Sequence, residues 1–244
     1  MKSMLLIFIS LSILSCREPG KTSPSENDKT QSKNILVPGR YNVAFLIMEG
    51  TYNTEFTAPY DIFQHTQFRE NIKAMNTFTV ANSREAVTTF EGVRILPDFD
   101  YTRDSLPPID ILVVPSAEHH LDTDLQDTTM LQFVRQTSIQ ARYVTSHCDG
   151  AFILAKAGLL NDMVSTTFPT DIDLYREMFP HLQVKDSVWF VHDGKFITSA
   201  GGAKSFEAAL YLCEVLYGEE IAKSLAKGLV IDWDLTQVPH FIVR

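Results

Sequence analysis

Residues 141–160, ARYVTSHCDGAFILAKAGLL, constrain the fold of this chain more than any other stretch. Residues 142–146 bring β-branched and aromatic side chains together and predict a short strand. Residues 149–157 predict a helix, apolar at Phe152, Ile153, Leu154 and Ala157. His147, Cys148, Asp149 and Gly150 stand between the two. A cysteine at a tight strand-to-helix turn presents its sulfur at a sheet edge, close to the positive end of a helix. That is the layout of a nucleophile elbow. A free cysteine is more often a small buried hydrophobe. The polar neighbours on both sides of Cys148 favour the functional position.

The elements around the elbow predict an α/β fold. Residues 40–48, RYNVAFLIM, read as a strand buried on both faces. Residues 55–64 start a helix, with Pro59 near its beginning where proline is tolerated. Further strands are expected at 78–81, 93–96 and 110–115. An amphipathic helix is expected over 125–140, with Leu131, Val134 and Ile139 inward. Residues 166–179 contain another helix. Asp193-Gly194 signals a hairpin between strands at 188–192 and 195–199. Helices over 205–216 and 219–226 complete the series. Strands alternating with helices imply a doubly wound, mostly parallel sheet covered on both faces. In such sheets ligands bind beyond the carboxyl ends of the strands. Segments 49–55, 116–122 and 147–150 are expected to meet there.

Net charge of −9 without a basic run speaks against nucleic acid as a partner. Three scattered cysteines, Cys16, Cys148 and Cys213, make no disulfide framework, and neither CxxC nor HExxH occurs. Neither a metal nor another cofactor is expected. Cys213 sits on an apolar helical stripe with Phe206 and Leu210, which predicts a core position.

Residues 1–15, MKSMLLIFISLSILS, carry Lys2 and then an apolar run too short for a permanent span. They read as a signal peptide. Ile13-Leu14-Ser15-Cys16 resembles a bacterial lipobox, which makes Cys16 the expected lipidation site. Residues 16–39 follow as a polar tether with too little apolar surface to offset its ordering entropy. The folded domain is expected over 40–244, held outside the cytoplasm by a membrane lipid anchor.

Four segments carry a resemblance to the DJ-1/PfpI superfamily. FLIMEGTYNTEFTAPYDIFQ resembles its opening strand, acidic turn and Pro-containing helix. SHCDGAFILAKAGLLND resembles its elbow. FITSAGGAKSFEAALYLCEVLYG resembles its late Thr-Ser-Ala-Gly turn and long helix. LVIDWDLTQVPHF resembles a closing pattern of the stand-alone isonitrile-hydratase-like branch. Related transcription regulators append a helix-turn-helix region, for which no counterpart is expected up to Arg244. The resemblance implies a flavodoxin-like domain, a nucleophilic Cys148 and a facing carboxylic acid at Glu55. It also implies a homodimer and a small-molecule substrate. The implied chemistry is hydration or hydrolysis of a small electrophile, with a non-enzymatic redox-sensing or ligand-binding role as the alternative. A carboxyl beside a thiolate has its pKa raised by the like charge and can then donate to the sulfur.

The departures from the family pattern concern the same site. Asp149 stands where this branch often has threonine; helix capping is the expected role, ahead of service as a proton carrier in a different chemistry. His147 precedes the cysteine and is expected to face away from the sulfur as a packed side chain. Phe168 replaces a histidine after Thr166-Thr167. Ser116-Ala117 replaces a Gly-Gly pair, which leaves the backbone N–H groups of Ala117 and Asp149 as oxyanion donors. His119 and His120 lie on the same sheet edge. They are expected either to be solvated or to serve Cys148 as a base, or to join Asp122 in a weak metal site.

Overall fold

The computed structural model describes residues 36–243. The expected signal peptide, the lipobox Cys16 and the tether up to residue 35 lie outside these residues. Within 36–39, Val37 exchanges hydrogen bonds with the Asn76 side chain, both at 3.0 Å. Among the described residues, no helix is long and apolar enough to cross a membrane.

The chain begins with β1 (Tyr41–Leu46), α1 (Asn53–Gln64) and β2 (Met75–Ala81). Three two-residue strands follow: β3 (Val87–Thr88), β4 (Arg94–Ile95) and β5 (Phe99–Asp100). Then come β6 (Ile111–Val114), α2 (Thr128–Gln140), β7 (Tyr143–His147) and α3 (Gly150–Lys156). After them stand β8 (Val164–Ser165), α4 (Ile172–Met178), β9 (Gln183–Val184), β10 (Phe190–Asp193) and β11 (Phe196–Ser199). The described chain closes with α5 (Ser205–Tyr217), α6 (Glu219–Gly228) and β12 (His240–Ile242).

Eight of the strands form one sheet in the order β12-β10-β11-β7-β6-β1-β2-β5. Every neighbouring pair in it is parallel except the β10–β11 hairpin, which turns at the expected Asp193-Gly194. The 93–96 segment differs from expectation. Arg94–Ile95 pairs with β3 outside the sheet, and β5 takes the edge instead.

Strand β1 shows why both faces are covered. Val43, Phe45 and Ile47 pack with α1, α5 and α6, while Ala44 and Leu46 pack with α2 and α3. Every one of these positions is buried, so the period-two alternation divides two apolar layers rather than core from solvent. Cys213 lies in the first layer, fully buried. The 125–140 helix is split in two. Asp127 accepts a hydrogen bond from Met130 N at 2.9 Å and caps a fresh start of α2 after the 3-10 turn Thr123–Gln126. Ile139 does not point inward as expected and is 74% exposed. Ser138, one turn beyond Val134, takes the buried position, and the next residue rotates out to solvent.

The strand order reverses between β1 and β6, so the loops leaving their carboxyl ends diverge and open a crevice. The elbow after β7 closes one side of it. Close packing sets the elbow's position, because a Cβ on Gly150 would stand 2.1 Å from the carbonyl oxygen of Val114. Replacing Gly150 by alanine is therefore expected to destabilise the domain by roughly 3 kcal/mol, the upper part of the range for overpacking. Thermal unfolding is the check, and an unchanged midpoint would show that the elbow is free to shift.

Candidate active site

Three loops reach the crevice from the carboxyl ends of β1, β6 and β7, and a fourth from β11. Their residues, with Glu91 from between β3 and β4 and Phe168 and Asp171 from the segment after β8, line a cleft of about 460 Å³. Cys148 and Asp149 sit at its base with Glu55, Ala117 and Gly202. Tyr52, Phe168 and Asp171 stand around them. The cleft-lining residues include five carboxyl groups and no Lys or Arg.

Cys148 adopts φ of +53°, a left-handed conformation that side chains rarely accept and that costs on the order of 1–3 kcal/mol. Its surroundings enforce it. Cys148 N donates to Ser199 O at 3.0 Å, and Thr167 Oγ1 lies 3.1 Å from Cys148 O, sharing its one O–H between that carbonyl and the Asp149 carboxyl. Gly201 lies flat against the turn, where a Cβ would come within 2.3 Å of Cys148 Cβ. The sulfur faces the cleft but is little exposed, the residue retaining 6% accessibility.

Glu55 enters from the first turn of α1 and is also buried. Ser116 N donates to its Oε2 at 3.1 Å and Gly202 N to its Oε1 at 3.2 Å. Burial raises its pKa to about 7 against the pull of those two donors. With one lone pair on each oxygen occupied, a proton held by Glu55 has only the remaining sites. Burial, then the charges of Glu55 and Asp149, push the Cys148 thiol far up, opposed by the Asp149 backbone N–H. Burial and the two neighbouring acids thus favour the protonated form of the Cys148 sulfur, with the Glu55 carboxyl as one of the groups acting on it.

Asp149 departs from the capping role expected of it. It holds the N-cap position of α3, but its side chain makes no cap. Cys148 Sγ donates to Asp149 Oδ2 at 3.6 Å, and Thr167 Oγ1 donates to Oδ1 at 2.9 Å. Burial and the neighbouring Asp171 raise its pKa to about 6. Asp171 belongs to the 3-10 turn Pro169–Asp171 and was not visible as a site residue in the sequence. Thr167 was visible only as the neighbour of a missing histidine.

The two candidate histidines do not serve the sulfur, because neither lines the cleft. His119 points to solvent and pairs with Asp122 at 3.4 Å. His120 is fully buried on the far side, with Nε2 3.2 Å from Met48 Sδ, and burial depresses its pKa to about 3. Among the described residues, no group of three His, Cys, Asp or Glu side chains could hold a metal ion. His147 packs away from the cleft, with Nδ1 3.0 Å from Ser199 Oγ. Ala117 lines the cleft, and its N makes no backbone hydrogen bond among the described residues. Ser116 N is committed to Glu55 instead.

The profile described as "DJ-1/PfpI family" matches residues 41–215. The chain belongs to the DJ-1/PfpI family. It is 29% identical over 184 residues to an isonitrile hydratase of Pseudomonas putida, covering 74% of each chain. It is 23% identical over 189 residues to the dj-1beta protein of Drosophila melanogaster, covering 78% of this chain and 96% of that one. The crystal structure of a ThiJ/PfpI family protein from Pseudomonas syringae superposes with a TM-score of 0.70 at 22% identity, covering 88% of this chain and 84% of the other. That likeness is one of fold.

The raised acids make stability depend on pH. Glu55 and Asp149 bind protons more tightly folded than unfolded, so their contribution is present at acid pH and lost as pH rises through about 6 to 7. For Glu55 this is about 3 kcal/mol. Urea unfolding of the wild type is expected to require less denaturant at neutral than at mildly acid pH, and Glu55→Gln is expected to flatten that slope. Identical slopes in the two proteins would contradict the buried, proton-binding Glu55.

Proposed function

We propose that this DJ-1/PfpI protein is a cysteine-dependent enzyme that adds water to a small neutral electrophile, with isonitriles as the best-supported substrate class. The observation that carries the reading is a fixed, buried carboxyl, Glu55, lining the same cleft as the Cys148 thiol. The similarity to an isonitrile hydratase supports the substrate class. Five carboxyl groups without a cation in the lining disfavour an anionic substrate.

Cys148 Sγ attacks the electrophilic carbon as its proton passes to Glu55. The proton moves during bond formation, because a free thiolate is strongly disfavoured here. For an isonitrile, R–N≡C, thiol addition gives the thioimidate R–N=CH–S. Water then adds to the same carbon, the C–S bond breaks with its electron pair returning to sulfur, and the formamide R–NH–CHO leaves. The Asp149 and Ala117 N–H groups border the cleft where charge develops.

A redox-sensing role suits the site less well. Sulfenic acid formation starts from an accessible thiolate, and this sulfur is covered and flanked by acids. The test is turnover of a panel of neutral isonitriles and 2-oxoaldehydes. Wild type is expected to convert isonitriles, Cys148→Ser to lose activity altogether, and Glu55→Gln to lose a factor on the order of 10² to 10⁴. An inert wild type that is selectively oxidised at Cys148 by mild peroxide would favour the sensor instead.

A further inference from the structure

Glu55 is held by two backbone donors and is committed to the sulfur. Water addition also needs a proton donor and acceptor for the substrate's own atoms. Neither His119 nor His120 reaches the cleft, and His147 packs behind it. A second carboxyl group also reaches the sulfur. Asp149 Oδ2 lies 3.6 Å from Sγ, Thr167 fixes the other oxygen at 2.9 Å, and Asp171 borders the same cleft. Among the charges near Asp149, that of Asp171 on the same cleft wall opposes its ionisation most.

We propose that Asp149 is a second catalytic residue, exchanging protons with the substrate, and that Asp171 is its positioning residue, the two forming a carboxyl–carboxylate pair that holds one proton. Two neighbouring carboxyl groups in a cleft lined by no Lys or Arg resist ionising together, which favours a proton held on Asp149. The raised pKa of Asp149, about 6, agrees with that arrangement. The other titratable groups bordering the cleft are Tyr52, Glu55, Glu91, Glu118 and Cys148. The buried neutral His120 lies against the Asp149 backbone. No cation among them offsets the pair.

The assignment rests on the hydratase reading and completes its proton balance. As the S–C bond forms, Glu55 takes the thiol proton and the pair gives its proton to the isonitrile carbon. As water adds, its proton restores the pair while Glu55 protonates the imine nitrogen. The hydroxyl proton then passes through Glu55 to sulfur as the C–S bond breaks. One water is consumed and both acids return to their starting states.

The test uses Asp171→Asn in the full chain, because Asp171 is half-buried at the cleft wall and the carboxamide keeps its shape. Removing the charge that raises Asp149 lowers its pKa, and each unit cuts its protonated fraction tenfold. Isonitrile turnover at neutral pH is expected to fall on the order of tenfold. The falling limb of the wild-type pH profile, near 6, is expected to move to lower pH. Alkylation of Cys148 by iodoacetamide is not expected to slow, since a negative charge near the sulfur has been removed. An unmoved limb overturns the proposal, and so does turnover lost in parallel with alkylation. If the wild type converts no isonitrile, the hydratase reading fails by itself. The pair is then decided by carboxyl ¹³C NMR titration of Asp149. A midpoint above the ordinary aspartate range that drops in Asp171→Asn is expected. An ordinary midpoint in the wild type, or one that does not move, rejects the pair.

Discussion

The carboxyl of Glu55, bound by Ser116 N and Gly202 N, is the contact on which the rest of the site depends. It ties the start of α1 to the loops after β6 and β11. Those loops hold the elbow between them, with Cys148 N on Ser199 O and Gly201 against Cys148 Cβ. Two buried N–H groups lacking that acceptor would each leave a donor unsatisfied, at about 1–3 kcal/mol apiece. The acid is therefore a structural brace as well as a chemical group.

The brace carries a charge conflict. Glu55 and Asp149 both act on a covered sulfur, and all three resist ionising together. The lowest-energy arrangement keeps protons in the cluster, which is what a site needs in order to hand them to a substrate. The strained φ of Cys148 belongs to the same arrangement, because it turns the sulfur into the cleft while the backbone stays tied to β11 and Thr167.

Most of the fold can be read in the chain itself. The alternating apolar residues of β1, the Asp193-Gly194 hairpin and the strand-turn-helix around Cys148 are local signals strong enough to survive tertiary packing. Cys148 and Glu55 could be paired because the resemblance supplied the long-range contact that spacing cannot. The misses are all questions of direction. His119 and His120 are adjacent, but the turn closed by His120 N on Ala117 O sends one ring to solvent and buries the other. An aspartate opening a helix caps it by default, so the rotation of Asp149 toward the sulfur could not be inferred without knowing that Thr167 waits there. Asp171 gave no signal, since only the 3-10 turn before α4 carries it to the cleft. Ile139 shows the same limit on a smaller scale, because a stripe one residue out of step looks continuous until the helix is placed.

The central claim is that Cys148 rests as a thiol in contact with Glu55 and gives up its proton only as it attacks. Infrared difference spectroscopy of the S–H stretch, wild type minus Cys148→Ser, reads that proton directly. The account predicts a Cys148 S–H band at neutral pH, at a frequency that shifts in Glu55→Gln. A wild-type sulfur with no S–H band at neutral pH would be a preformed thiolate, and would contradict it.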